Sequence, residues 1–330
     1  VTESPPILYG SIKSRLDEGS NSPLILVVPE QFSLQAERKL ASTIGVGSTI
    51  KAEVLSFRRM AYRVFNEVGG LTRRYINSAG KCMLLYHIID SVKDNLTVFS
   101  KAAAQQGFVN TLLEMIAEMK RYNITPETLK DVRNNLKEQQ LLIDKLNEIG
   151  IIYEEYEKRL HEKYMDSDDD LTILAGRLEE SVQFNDAEVW IDDFSGFTPQ
   201  EYKVIEALLK KAKRVNVCLC TDCLAEDNEL DDTDVFSPAK NACKKLLKIA
   251  AENNSTVEPP VELKTEPSFR FRESKEIAHL ENRLFTFPYS PYTDKTKDIS
   301  IFAAVNIYSE VENTARDIIS LCRDRNIRYR

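Results

Sequence analysis

The sequence predicts an α/β fold built on a parallel sheet and interrupted by an all-helical insertion, and three observations carry that prediction. Residues 24–28 (LILVV) form a wholly apolar run that leads through Pro29 into the helical spacing of Phe32, Leu34, Ala36 and Leu40. A strand with no polar side is one covered on both faces, as parallel strands are. The same strand-then-helix pattern returns immediately afterwards and again far downstream. Between the two occurrences lies a stretch with helical periodicity alone.

Taken in order, Lys51 to Phe57 (KAEVLSF) reads as the second strand. Met60, Ala61, Val64, Phe65 and Val68 then fall at helical intervals, and Gly69-Gly70 ends that helix. Residues 78–164 contain two Pro-free helical stretches, Lys81 to Val92 and Phe108 to Tyr122, then Pro126 and a long charged amphipathic run from Thr128 to Tyr164. The heptad-like positions of that run (Leu141, Leu142, Leu146, Ile149, Ile152, Tyr156, Leu160) are expected to pack within the insertion. Residues 188–192 (EVWID) and 214–220 (RVNVCLC) are two further buried strands, separated by a helix from Pro199 to Lys213. Alternation of this kind implies a three-layer sheet.

Residues 221–236 carry seven acidic and no basic side chains and are expected to form a solvated or disordered loop. A helix is expected from Ser237 to Asn253. The Pro- and charge-rich segment 255–298 then reads as a crossing into another unit, which opens with a strand, Ile299 to Val305, and a helix, Ser309 to Arg325. With no strand after it, the end at Arg328-Tyr329-Arg330 reads as that of a fragment. The expected domains are therefore 1–77 joined with 165–254, the insertion 78–164, and the start of a second α/β unit at 255–330.

Composition narrows the function. The chain has 330 residues, 42% hydrophobic and 29% charged, which excludes a collagen-like or wholly disordered polypeptide. No apolar run approaches the ~20 residues needed to cross a bilayer, and no basic-then-apolar leader opens the chain. Six cysteines without framework spacing suit a reducing compartment, so the cytoplasm is the expected location. The 44 basic and 52 acidic residues give a net charge of −8, which argues against a surface that coats nucleic acid all over but leaves room for a local groove.

The most informative stretch is 188–202, where an apolar strand ends in Asp192 and Asp193. Open α/β folds bind ligands at that edge, and nucleotide hydrolases hold Mg²⁺ there with an aspartate; a surface turn also favours Asp. Gly80-Lys81-Cys82 is the only Gly-Lys pair, and without a preceding strand or a following Ser/Thr it reads as an ordinary helix start. Cys218, Cys220 and Cys223 have no fourth ligand at a standard spacing and read as buried or edge thiols. His87, His161 and His279 are scattered and near no nucleophile pattern. Charge is uneven, however: from Ala36 to Tyr75 there are eight basic and three acidic residues. Interleaved with Phe57, Tyr62 and Phe65, these suit a surface that tracks a nucleic-acid backbone, or a solvated helix face with its aromatics in the core.

Several stretches resemble one family, in one order: PEQFSLQAERKL, VLSFRRMAYRVFNEVGG, YMDSDDDLTILAGRLEE and VWIDDFSGFTPQEYKVIEALL. Together they resemble the AddB (RexB) family, the B subunit of AddAB-type ATP-dependent helicase-nucleases, and more distantly the first motor domain of UvrD-type superfamily 1 helicases. The resemblance implies a helicase-like, P-loop NTPase-like sheet and a role in processing DNA double-strand breaks for recombination. It also implies contact with single- or double-stranded DNA and an AddA-type motor-nuclease partner. It places Phe57, Arg58, Arg59 and Arg63 on the DNA, with Phe57 as a stacking ring, and Asp169 to Leu171 in the segment preceding the Walker B strand. Active members carry D-E-x-Q-D on that strand. Here Asp193 stands for the Glu, Ser195 for the Gln and Gly196 for the last Asp, and the G-K-[ST] loop is missing. Asp192 and Asp193 are therefore expected to be a degenerate Walker B pair, with Asp192 the Mg²⁺ candidate if nucleotide binds. Mg-ATP and an iron-sulfur cluster are implied for the full-length family, not for these residues. An active motor whose phosphate loop lies before Val1, and a scaffold binding the partner motor, remain as alternatives.

Overall fold

The four apolar runs at 24–28, 51–57, 188–192 and 214–220 each contain a strand, and the strands make one parallel sheet. The computed structural model describes residues 6–45, 51–136, 139–223, 234–263, 271–325 and 327–328. In chain order it begins with α1 (Pro6–Asp17), β1 (Leu24–Val27), α2 (Ser33–Ile44), β2 (Ala52–Leu55) and α3 (Phe57–Val68). A two-residue strand β3 (Arg74–Tyr75) leads into α4 (Ser78–Val92), α5 (Gln106–Arg121), α6 (Pro126–Asn135) and α7 (Gln140–Lys163). Then come β4 (Tyr164–Met165), α8 (Asp170–Arg177), β5 (Glu188–Ile191), α9 (Pro199–Lys211), β6 (Arg214–Val217) and α10 (Ser237–Glu252). The packing divides the chain into Val1–Glu258 and Pro259–Arg330; the second unit holds α11 (Lys275–Arg283) and α12 (Ile307–Arg325).

The strand order is β2-β1-β5-β6, with β1 paired in register to Ala52–Leu55 on one side and Glu188–Ile191 on the other. Side chains alternate between the two faces. Ile25, Val27, Val189 and Ile191 pack under α3, α8 and α9 with Met60, Val64, Leu174 and Val204. Leu24, Leu26 and Trp190 pack under α1 and α2 with Leu8, Ile12 and Leu40. Coverage on both faces is why β1 carries no polar side, whereas β6, expected to be a buried strand, is half-buried at the edge of the sheet and carries Arg214 and Asn216. Gly69 closes α3 at φ 83°, and at Gly70 a Cβ would stand 3.0 Å from the Phe65 ring, so the helix end needs both glycines.

The insertion has its own core, in which Leu85 and Ile88 of α4 meet Leu112 and Ile116 of α5 and Ile152 and Tyr156 of α7. The amphipathic run from Thr128 to Tyr164 is divided between two helices, α6 and α7. Ile149, Ile152, Tyr156 and Leu160 are buried there as expected, but Leu141, at the first turn of α7, is 61% exposed and Leu142 is exposed beside it. Buried Glu148 ties the 97–99 turn to α7: its carboxylate accepts from the backbone N–H groups of Thr97 (2.7 Å), Val98 (2.8 Å) and Phe99 (3.0 Å). At the base, β3 and β4 form a short parallel ladder that pins together the chain entering and leaving the insertion. Neither two-residue strand is legible in the sequence.

In the second unit the strand expected at Ile299 to Val305 is extended coil, and Ile301 and Val305 are almost wholly exposed. A strand needs a neighbour to take its backbone hydrogen bonds, and no strand is found among the described residues of this unit. The helix that follows begins at Ile307 and has no buried residue. Of the acidic stretch 221–236, residues 224–233 lie outside the described residues; Asp222 and Asp234 at its ends both pair with Lys240. No helix among the described residues is long and apolar enough to cross a membrane.

Candidate nucleic-acid interface

Ser56 links β2 to α3 at the carboxyl edge of the sheet, where open α/β folds meet their ligands. Its extended backbone places the hydroxyl as the helix N-cap, accepting from the Arg59 N–H at 3.2 Å, while the hydroxyl itself donates to Glu30 after β1. The α3 periodicity then sorts the next residues. Phe57, Met60, Ala61, Val64 and Phe65 share the buried face, so Phe57 is only 5% exposed and its ring lies 5.5 Å from that of Phe194. This corrects the expectation of a stacking ring, because a side chain committed to the core offers no face to a base.

The three arginines differ. Arg58 is exposed, with its guanidinium 5.9 Å from the Tyr62 ring centroid. A hydrogen bond to Tyr62 raises its pKa further, helped by the charges of Glu30 and Asp170. Arg59 is half-exposed and pairs with Glu37 on α2. Arg63 pairs with Glu53 on β2 and Gln183. Surface pairs of this kind are worth about 0–1 kcal/mol, so they do not prevent an arginine from taking a phosphate instead.

Asp192 and Asp193 lie at the same edge of the sheet, one strand beyond β1. The Asp192 N–H extends the ladder by donating to the Val27 carbonyl at 3.0 Å, and the side chain is buried, with the residue 6% exposed. The Cys218 thiol hydrogen-bonds to it; burial, then the charges of Asp192 and Asp193, push that thiol up to about 12. Asp193 turns the chain at φ 65°, a left-handed conformation that Asp tolerates. Mg²⁺ keeps several of its waters, and a buried aspartate beside a thiol does not fit that demand. Cys220 and Cys223 are exposed and free, and the one grouping with metal-ligand geometry among the described residues contains no cysteine. Gly80-Lys81 is a helix start capped by Asn77, as expected.

A second polar cluster was not anticipated. Lys120 on α5 is 5% exposed, and its ammonium contacts Glu157 (2.8 Å), Asp169 (2.9 Å) and Asp166 (3.0 Å). Burial disfavours its charge, but the three carboxylates outweigh burial and raise its pKa. Lys81 joins from α4 through Asp166 and Asp168. Asp170, pushed up to about 6 by burial, accepts from the Tyr75 hydroxyl at 2.8 Å, and the Tyr75 ring packs against Tyr62 beneath Arg58. Gln200 on α9 donates to the Asp168 carbonyl at 2.9 Å. The network thus runs from the insertion through residues 166–170 to α3 and α9. One signal was legible: Lys120 lies four and eight residues after Ile116 and Leu112, on the buried face of its helix.

A parallel sheet with arginines at its carboxyl edge and an ion-paired helical insertion define the class, an α/β domain with a helical insertion. Within that class the chain belongs to the AddB family: the model described as "ADDB, N-terminal" matches residues 6–281. It is 54% identical over 97% of its length to the B subunit of the ATP-dependent helicase/deoxyribonuclease of Acetivibrio thermocellus. Proteins of the same name from Clostridium botulinum (strain Loch Maree / Type A3) and Thermoanaerobacter sp. (strain X514) are 50% and 49% identical over 97% and 96% of the chain. The chain spans 28%, 28% and 27% of the length of these three relatives.

Proposed function

We propose that this chain is the helicase-like, DNA-holding part of an ATP-dependent helicase-nuclease that processes DNA double-strand breaks, acting in the cytoplasm beside a motor-nuclease partner. The observation that carries this reading is the position of Arg58 and Arg59, exposed on the first turn of α3 where the chain leaves the carboxyl edge of the sheet. Two guanidinium groups there contact phosphates, with Arg58 held in place by Tyr62. Arg63, one turn further along α3, is a third contact reached by giving up its Glu53 pair.

The sheet is then a P-loop NTPase-like frame used as a strand guide and not as a hydrolase. The burial of Asp192 beside Cys218 supports this, as does the Walker B-like strand's departure from D-E-x-Q-D. The test is fluorescence anisotropy of a labelled ~20-nucleotide single strand at several salt concentrations, since phosphate contacts make binding fall steeply with salt. Salt-dependent binding weakened by Arg58→Ala/Arg59→Ala supports the reading. Binding that this pair leaves untouched, or no binding at low salt, defeats it.

A further inference from the structure

The three arginines of α3 are held by different chemistry. Arg59 faces the carboxylate of Glu37 and Arg63 that of Glu53, so each positive charge is partly cancelled where it stands. Arg58 makes no ion pair among the described residues; its guanidinium hydrogen-bonds to Tyr62 and lies 5.9 Å from the centroid of that ring. An uncharged partner fixes the side chain without neutralising it. An arginine already held in place gives up less rotamer entropy when it takes a phosphate than one that swings freely.

Tyr62 is itself half-buried and needs backing. Its ring packs against that of Tyr75, with centroids 6.1 Å apart and planes tilted by 54°, within the range that aromatic pairs prefer. Tyr75 lies in β3, opposite Met165 of β4, in the ladder that closes the base of the insertion. Its hydroxyl donates to Asp170 at 2.8 Å, and Asp170, the first residue of α8, is 3% exposed. The Asp170 charge also attracts the Arg58 guanidinium at longer range. Four side chains from three elements thus stand in series. At the exposed end is a cation that no ion pair compensates, and at the buried end a carboxylate.

We propose that Tyr75 and Asp170 are positioning residues for nucleic-acid binding: their hydrogen bond holds the Tyr75 ring against Tyr62, and through Tyr62 it sets the Arg58 guanidinium toward a phosphate. The inference rests on the reading of α3 as a DNA-holding edge. It puts part of the grip on the strand at the base of the insertion, on residues that touch no DNA.

Tyr75→Phe keeps the ring and removes the hydroxyl. Single-strand affinity at low salt is measured by anisotropy for the full chain, Tyr75→Phe, Arg58→Ala and the double variant. Tyr75→Phe should weaken binding about 2- to 10-fold, the worth of one hydrogen bond, and Arg58→Ala by at least as much. In the Arg58→Ala background Tyr75→Phe should have no further effect, because its route to the strand has gone. Binding left intact by Tyr75→Phe, or weakened by the same factor with and without Arg58, overturns the proposal while leaving the α3 edge on the DNA. Binding unaffected by Arg58→Ala overturns both.

Discussion

Two charged regions flank the Tyr62–Tyr75 contact, and they use charge in opposite ways. Around Lys120 and Asp166 the groups are buried or half-buried and pair with one another, so that removing a member strands its partners. Along α3 the arginines face solvent and make only surface pairs, which cost little to exchange. Inward-facing charge fixes where the insertion sits on the sheet; outward-facing charge is free to exchange partners. Both regions read simply as charged residues in the sequence, and burial alone separates them.

The largest effect expected from breaking this contrast is at Lys120. Lys120→Met takes from buried Asp166 one of its two ammonium partners, leaving only Lys81, and should cost about 3–5 kcal/mol of unfolding free energy, read from urea denaturation. An effect below about 1 kcal/mol would place the lysine in the surface class. Next is Glu148, whose pKa burial would raise but which its backbone N–H donors hold below the usual carboxylate value. Glu148→Gln should cost about 1–3 kcal/mol at neutral pH. Because the folded pKa is the lower one, this stabilisation is complete above the unfolded value and is lost as pH falls through the folded value. Denaturation of both proteins across the acid range should therefore show their difference shrinking with acid.

At the α3 edge, Ser56→Ala removes an N-cap and should cost about 1 kcal/mol in the same assay. Smallest is Arg59→Ala, expected to change stability by less than about 1 kcal/mol because only the Glu37 pair is lost. A loss of several kcal/mol there would mean that the edge is built like the Lys120 cluster.

Much of the fold was legible because it rests on local patterns. The runs LILVV and EVWI announce covered parallel strands, RVNV announces a strand that proves half-buried at the sheet's edge, and Gly69-Gly70 announces a helix end. Residues 299–305 show the limit of that reasoning, since a strand pattern is only a capacity until a neighbouring strand supplies hydrogen bonds. The Lys120 network was illegible for another reason: its partner Asp166 lies 46 residues away, and nothing local encodes the meeting. Phe57 is different again. Its place in the i, i+3, i+4, i+7, i+8 series with Met60, Ala61, Val64 and Phe65 already puts it on the buried face, whereas the family resemblance implied a stacking ring there.

The central claim, that the α3 edge and not cationic surface in general holds a DNA strand, is tested most directly by a charge-matched comparison. Arg58→Ala/Arg59→Ala and Lys244→Ala/Lys248→Ala each remove two exposed positive charges, the second pair from α10. Single-strand binding is followed by anisotropy across a salt series for both variants and the parent chain. The arginine pair should flatten the slope of log K against log salt by about 0.7 per lost phosphate contact, and the lysine pair should leave it unchanged. Equal slopes for the two variants would contradict the assignment of the strand to this edge.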